Sequence, residues 1–176
     1  MISKKTLILH RLTAHLEGVS YNTTFVPGGV ADLTGKVYRG RGDFGEETVE
    51  PFISILEAPR QVLPDTAGTG KTSRNDFWKL LIQGFAPDDK KHPYDPAYEF
   101  LGHVEARLAR LVQENPNGTG ATYPEEFKLG KLVRALTFEN PIVRPPTDGV
   151  SDTAFFYMPV TFEIVTDMVS PFIEET

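Results

Sequence analysis

The chain contains no cysteine among its 176 residues. Without a thiol it has no disulfide framework, no thiolate nucleophile and no cysteine-based zinc site. It also lacks an apolar run of the length that a signal peptide or a membrane-spanning helix needs. We therefore expect a protein without membrane contact that is made and used in a cytoplasm, with a fold held by packing alone.

Basic residues are scarce as well. The chain has 18 Lys and Arg against 24 Asp and Glu, which gives a formal net charge of -6 at pH 7. The largest basic clusters are the pairs Lys4-Lys5 and Lys90-Lys91. Since proteins that bind phosphate backbones draw most of their affinity from clustered Lys and Arg, the composition argues against a dedicated nucleic-acid-binding protein.

The residues that are present suit one globular domain. Hydrophobic residues make up 40% of the chain and charged residues 24%, which predicts a single domain over residues 1–176 with an adequate core. Fifteen glycines and 14 prolines follow no period. This composition predicts short elements that are connected by long loops.

Two helices are predicted. Ser3 is placed to cap the first helix and Gly18 to end it. In the second helix, Asp95 is the expected N-cap, Pro96 takes the first helical position and residues 115–118 end the helix. Its apolar side chains fall on one face, at Ala97, Phe100, Leu101, Val104, Leu108 and Leu111.

Alternating apolar side chains and flanking turn residues predict five strands. They are Val37–Arg41, Phe52–Glu57, Phe77–Phe85, Leu132–Phe138 and Phe155–Val165. Trp78 is expected in the core, and residues 19–35 are expected to form a loop. Because proline cannot donate a hydrogen bond to its neighbour, Pro159 predicts that the last strand is an edge strand or has a bulge.

These elements together predict an α+β fold. We expect a mostly antiparallel or mixed β-sheet of about five strands flanked by two main helices, with long loops. The segment Ala58–Asp76 is the longest polar connection. Its length and its Gly and Thr content predict a mobile arm that becomes ordered against a neighbouring molecule.

One segment has part of a nucleotide-binding motif. Gly68–Thr72 has the final glycine, lysine and hydroxyl residue of a phosphate-binding loop. Asp65 stands where that motif needs its first glycine, and a strand pattern follows where it needs a helix. We therefore interpret the segment as a flexible loop and expect no bound nucleotide.

The histidines do not predict a catalytic or metal site. His10 and His15 are five residues apart on a helix, about 140° around its axis, which does not direct both imidazoles at one metal ion. His92 and His103 are expected at the surface. No catalytic residue, cofactor-binding residue or metal ligand is predicted.

Charges of one sign are grouped along the chain. Residues 1–41 are mainly basic, whereas residues 43–57 and the segment from Asp148 onward contain acidic residues and no Lys or Arg. Two interpretations stay open: solvated faces, or complementary contacts between identical subunits. The candidate interface residues are Arg39, Arg41, Glu46, Glu47, Lys71, Arg74, Arg144 and Asp148.

Several segments resemble tail terminator proteins of tailed bacteriophages, the family that is similar to minor tail protein U. The resemblance spans most of the chain and consists of structural patterns, none of which is a catalytic signature. It rests on Val37–Arg41, Phe52–Glu57, Asp76–Phe85, Asp88-Asp89-Lys90, His92-Pro93, Asp95–Tyr98, Val143–Pro146 and Thr153–Val160.

The resemblance implies a structural virion protein that assembles into a ring, usually a hexamer. Such a ring caps the tail tube protein, stops its polymerisation and offers its other face to head-completion or connector proteins. The genome DNA would pass through the channel without sequence-specific binding. The expected location is the neck end of the virion tail, after assembly in the host bacterial cytoplasm.

Two alternatives remain at this level. One is another neck or tail-completion protein of the same virion. The other is a nucleotide-binding enzyme that would use Lys71 and Thr72.

Overall fold

A computed structural model describes residues 1–59 and 66–174. Within these residues the chain forms an α+β structure, which confirms the predicted fold class. The helices are α1 (Lys4–Glu17), α2 (Tyr94–Ala109) and the single turn α3 (Lys128–Lys131). The strands are β1 (Ile2–Ser3), β2 (Ser20–Asn22), β3 (Val30–Asp32), β4 (Val37–Arg39), β5 (Phe52–Glu57), β6 (Ser73–Phe85), β7 (Ala135–Phe138), β8 (Ile142–Arg144), β9 (Phe155–Asp167) and β10 (Phe172–Ile173).

Six of these strands form one mixed sheet in the order β4-β5-β6-β9-β7, with β8 pairing with β9. The β4–β5 pair is parallel, and the other pairs are antiparallel. Strands β6 and β9 form the centre, with a continuous ladder from Ser73 opposite Asp167 to Phe85 opposite Phe155. Two small sheets, β1-β10 and β2-β3, lie outside it.

The two faces of the large sheet have different surroundings. Successive side chains of a strand point to opposite faces. Trp78, Leu80 and Ile82 are buried on the face that α1 and α2 cover, together with Phe156 and Phe162 of β9. Trp78 is therefore a core residue, as predicted. We call the other side of the sheet the open face.

Helix α1 agrees with its prediction. The Ser3 hydroxyl accepts a hydrogen bond from the Thr6 backbone N–H at 3.1 Å, and Gly18 is the C-cap. Ile8, Leu12 and Leu16 are buried in the main core. Neither α1 nor any other helix in the described part of the chain is long and apolar enough to cross a membrane.

Helix α2 has the predicted apolar face over Ala97–Leu108, but both ends differ: it stops at Ala109, before Leu111 and before the predicted end at residues 115–118. It begins at Tyr94 with Pro93 as N-cap, and within the described structure no side chain caps it. The prediction of Asp95 as N-cap is wrong, because its own backbone N–H already donates to the carbonyl of His92 at 3.0 Å. Asp95 lies in the first turn, where its carboxylate interacts favourably with the positive end of the helix dipole.

The prediction that residues 19–35 form a loop is wrong. Strands β2 and β3 form an antiparallel pair in which Tyr21 lies opposite Ala31, and both side chains are buried. Each strand has only three residues. A strand this short has one inward side chain, so that it shows no alternation for a sequence pattern to detect.

Strand β6 begins at Ser73, four residues before the predicted start. Residues 73–76 pair with residues 164–167 of β9, so that the last part of the predicted mobile segment Ala58–Asp76 is a strand. Residues 60–65 of that segment lie outside the described residues.

Pro159 does not mark an edge strand or a bulge, and that prediction is wrong. Strand β9 is interior, with β6 on one side and β7 and β8 on the other. The Pro159 carbonyl accepts from the Glu139 N–H at 3.0 Å, so that this side of Pro159 faces the connection between β7 and β8. The missing proline N–H therefore falls where the ladder changes from one short strand to the next.

The strand predicted at Leu132–Phe138 begins only at Ala135. Before it, residues 128–131 form one left-handed turn, with φ angles of 52°, 53°, 68° and 65°. The Leu129 side chain is buried, and its carbonyl accepts from Arg11 Nη1 at 3.1 Å. The turn is thereby attached to α1.

Candidate interaction surfaces

A second aromatic cluster lies on the open face, at the end of β6 that contains Phe85. Cross-strand pairing brings Phe85 opposite Phe52 on one side and Phe155 on the other. The Phe52 and Phe85 ring centroids are 4.7 Å apart, and Phe44 lies 4.5 Å from Phe52. Tyr38 and Tyr157 complete the cluster, which is separate from the main core.

The segment of residues 40–51 covers this cluster, and Arg41 organises it. The Arg41 guanidinium carbon lies 5.0 Å from the Tyr38 ring centroid and 4.9 Å from that of Phe44. Its Nε donates to the Asp43 carbonyl at 3.0 Å, and its Nη2 lies 3.5 Å from Glu47 Oε1. Two of the predicted interface residues, Arg41 and Glu47, therefore contact each other within the chain.

A groove of about 720 Å³ lies beside the covered cluster. Phe44, Phe52, Leu56 and Phe85 provide its apolar surface, and residues 149–152 form part of its rim. Four carboxylates line it, those of Asp43, Glu46, Glu50 and Asp152, and no Lys or Arg of the described chain does so. We call this surface the acidic groove.

The four carboxylates of the acidic groove are available to a partner. Among residues 1–59 and 66–174, none of them takes part in an ion pair. Asp43, Glu46 and Asp152 are exposed, and Glu50 is half-buried. Mutual repulsion between like charges on one surface is relieved when cations bind there.

A second surface lies at the opposite end of the sheet, where β6 begins and β9 ends. It contains a pocket of about 280 Å³, lined by Lys4, Lys5 and Arg74 and by one carboxylate, Asp167. Lys5 Nζ lies 3.0 Å from Asp76 Oδ2, so that this charge is already paired. Lys4 Nζ donates to the Val165 carbonyl at 3.0 Å, and partial burial lowers the pKa of Lys4.

Apolar side chains project around this pocket. Met168 and Val169 follow β9, and Phe172 lies in β10; more than half of each residue's surface is exposed. We call the pocket and these three side chains the basic end. Exposed apolar groups beside cations are typical of protein interaction surfaces.

Six of the eight predicted interface residues lie beside the two surfaces. Arg41, Glu46 and Glu47 lie beside the acidic groove, while Lys71 and Arg74 lie at or just before the start of β6, near the basic end. The remaining three are Arg39 on edge strand β4, Arg144 opposite Phe155, and Asp148 in the turn beside the groove. Two further residues were not predicted from the sequence: Lys4, which lines the pocket of the basic end, and Asp152, which lines the acidic groove.

The glycine-rich segment has the geometry of a tight turn. The backbone N–H groups of Gly68 and Lys71 donate to each other's carbonyls at 2.8 and 2.9 Å. Strand β6 follows directly at Ser73, where a phosphate-binding loop requires a helix. These amides are used inside the turn and are not arranged around a phosphate.

His15 is buried, which was not predicted from the sequence. Its Nε2 lies 2.7 Å from the Arg107 carbonyl, and its Nδ1 lies 3.5 Å from Glu126 Oε2. Burial lowers the pKa of His15, and the backbone contact and Glu126 only partly oppose this effect. The signal was its spacing, because His15 follows Leu12 by three residues on the apolar side of α1.

The other histidines lie closer to the surface. His103 is exposed, as predicted, and its ring stacks on Tyr21 with 4.2 Å between centroids. Within the described residues, no three His, Asp or Glu side chains are grouped so that they could hold a metal ion.

The sequence matches no protein-family model and no curated protein.

Proposed function

We propose that this chain is the tail terminator of a tailed bacteriophage, a structural protein that works as a closed ring of identical subunits. The ring would cap the tail tube protein, stop its polymerisation and present a second face to head-completion or connector proteins. The resemblance of the segments named above supports this function, and the α+β fold agrees with it. No catalytic step is part of the proposed function.

The observation that carries this proposal is the difference between the two ends of the sheet. A ring subunit must present unlike surfaces to its two neighbours, because head-to-tail contacts close into a ring by rotation. The acidic groove and the basic end are unlike in charge, and both contain apolar side chains. A single binding face of one character would fit this role less well.

Apolar contacts must supply most of the association energy. An exposed ion pair contributes only about 0 to 1 kcal/mol. Full burial of a Val, Met or Phe side chain contributes about 1.5 to 3 kcal/mol. Met168, Val169 and Phe172 of the basic end, which are still exposed, are therefore the larger source, and the charges select the partner.

Electron microscopy of tail tubes with the purified protein tests the function. We expect a single closed ring at one end of each tube and tubes that no longer grow when more tail tube protein is added. Native mass spectrometry then counts the subunits. Open-ended filaments of the protein would contradict a terminator, because a terminator must close and not propagate.

The alternatives give different results in the same preparation. A different neck or tail-completion protein would bind at the head side and leave tube growth unchanged. A nucleotide-binding enzyme would bind ATP or GTP in a calorimetric titration, and Lys71→Ala would abolish that binding. For a terminator we expect no heat of nucleotide binding and normal tube capping by Lys71→Ala.

A further inference from the structure

We propose that the acidic groove of one subunit receives the basic end of the next copy of this chain. This inference rests on the proposed ring and specifies its subunit contact. It goes further than the resemblance, which implies a ring without saying which residues meet. The occupant of the groove is a second copy that presents Lys4, Arg74 and the apolar side chains beside them.

Charge complementarity is the first reason. The acidic groove contains four carboxylates and no lining cation of the described chain, whereas the basic end has three cations and one lining carboxylate. Lys5 is paired with Asp76 inside the subunit, so that Arg74 and Lys4 are the charges left for a neighbour. Arg74 takes part in no ion pair among the described residues.

Apolar complementarity is the second reason. Met168, Val169 and Phe172 project from the basic end, and the lining of the groove includes the half-buried Phe44 and the exposed Val150. Aromatic and Met side chains are enriched in the centres of protein interfaces, with charged groups around them. The groove combines both kinds of group, because apolar side chains and four carboxylates line it.

The positions of the two surfaces require a contact between molecules. They lie at opposite ends of the 13-residue strand β6, which spans about 40 Å at about 3.3 Å per residue. One subunit cannot bring its own two surfaces together. Contact between unlike surfaces of identical subunits is heterologous, and it produces either a closed ring or an open filament.

Charge reversal at each surface tests the contact. The groove variant is Glu46→Lys with Asp152→Lys, and the basic-end variant is Lys4→Glu with Arg74→Glu. Lys5 is left intact because it contacts both Asp76 and the Trp78 ring. Both variants are measured by native mass spectrometry and on tail tubes, after circular dichroism has shown that they fold.

We expect each variant alone to lose ring formation, with association weakened at least about tenfold. A mixture of the two variants should form rings again when the two alternate. The reversed groove of one variant then faces the reversed basic end of the other, and the native groove faces the native basic end. The chain with all four substitutions should also assemble. The matched control is Glu105→Lys with Glu114→Lys, which changes the net charge as much as the groove variant at two exposed positions, and it should assemble normally.

A cross-linking measurement covers the case in which reversed charges disturb folding. The chain has no cysteine, so that Val150→Cys in the groove and Val169→Cys at the basic end introduce the only thiols. With a flexible bismaleimide, the chain carrying both substitutions should give a ladder up to the full ring. A mixture of the two single variants should give dimers and nothing larger.

The outcomes separate the contact from the function. If the wild-type protein caps tubes and a folded charge-reversal variant caps them equally well, the proposed subunit contact is wrong. The terminator function then stands. If the wild-type rings show the rescue and the ladder but do not bind tubes, the function is wrong and the contact stands. Cross-links that join two Val150→Cys positions would also overturn the contact, because they indicate a symmetric interface or a different occupant of the groove.

Discussion

Gly84 shows how a single position makes room for the core. It lies on the helix-covered face of β6, opposite Phe156 of β9. A Cβ atom at this position would lie 2.2 Å from two ring atoms of Phe156 and 3.0 Å from the Phe100 ring. Phe156 and Phe100 pack edge to face, with their centroids 5.4 Å apart. Glycine therefore allows an aromatic contact between the sheet and α2.

We expect Gly84→Ala to lower the free energy of unfolding by about 1 to 3 kcal/mol, because an added methyl group overpacks this site. Urea denaturation measures the change. Gly102→Ala is the matched control, since a Cβ there has no atom within 4 Å. In the middle of α2 this control should raise stability by about 0.5 to 1 kcal/mol. A Gly84→Ala protein as stable as the wild type would refute the steric explanation.

His15 is the buried titratable residue whose charge state affects the packing of the helices. Its ring contacts the Arg107 carbonyl of α2, and Arg107 Nε donates to the His15 carbonyl at 2.8 Å. Glu126 and Arg110 form an ion pair beside it. Because desolvation is the largest effect, the pKa of His15 is lowered and the neutral form is favoured in the folded protein.

The free energy of unfolding should therefore depend on pH through His15. Above the ordinary pKa of 6.5, the neutral His15 ring makes its full contribution to the free energy of unfolding. It is lost as the pH falls below that value toward the lowered pKa of the folded state, because the unfolded chain binds the proton first. We expect His15→Gln to lose stability less steeply than the wild type between about pH 7 and pH 5. Parallel curves for the two proteins would contradict this.

At the scale of elements, the left-handed turn before β7 is the most unusual backbone feature. Three of its residues are not glycine and have positive φ angles: Lys128, Leu129 and Lys131. Side-chain burial of Leu129 and its bond from Arg11 hold the turn in place. In an L-residue this conformation costs roughly 1 to 2 kcal/mol, which the packing must offset.

We expect Lys131→Gly to raise the free energy of unfolding by roughly 0.5 to 1 kcal/mol, because glycine adopts a φ of 65° without steric cost. Lys131 is exposed, so that no packing is lost. Lys131→Ala serves as the control and should give no gain, since alanine keeps the Cβ that causes the cost. Thermal and urea denaturation measure both. Equal stabilisation by the two substitutions would show that the lysine side chain, and not the backbone, is responsible.

At the scale of the whole molecule, the charges divide between the two ends of the large sheet. At one end, Asp43, Glu46, Glu50 and Asp152 line the acidic groove. At the other end, Lys4 and Arg74 line the pocket of the basic end. Screening of such charges becomes strong beyond a Debye length, which is about 8 Å at 0.15 M salt. Assembly of the proposed ring should therefore depend on salt more than folding does.

We expect added salt to weaken ring formation by the wild-type protein between about 0.05 and 0.5 M NaCl, because the Debye length shortens over this range. The unfolding midpoint of the monomer should change little. Light scattering against salt concentration measures assembly, and fluorescence of the single tryptophan measures folding. Assembly that strengthens steadily with salt would instead indicate an interface governed by apolar contacts alone.

The elements that could be predicted from the sequence are those with a repeated local signal. Strands β6 and β9 and the apolar face of α2 repeat their pattern over several residues. The elements that were missed are short or depend on distant residues. Strands β2, β3 and β8 have three residues each. The start of α2 depends on a backbone bond from Asp95 to His92.

The candidate surfaces show the same division. The sequence alone determined that basic and acidic residues are grouped in different segments, and that the chain has no thiol. Only the tertiary structure decided that Arg41 and Glu47 contact each other within the chain. It also placed Asp152 and Glu46 in the lining of one groove, and Lys4 and Arg74 in the lining of one pocket.

The physical reason is the range over which each cause acts. Helical and strand preferences depend on neighbours within a few residues, so that they can be read from the order of the amino acids. The register that places Phe52, Phe85 and Phe155 side by side joins segments separated by much of the chain. Because that register is set by burial of the whole sheet, the positions of the charges around these rings were decided only when the chain folded.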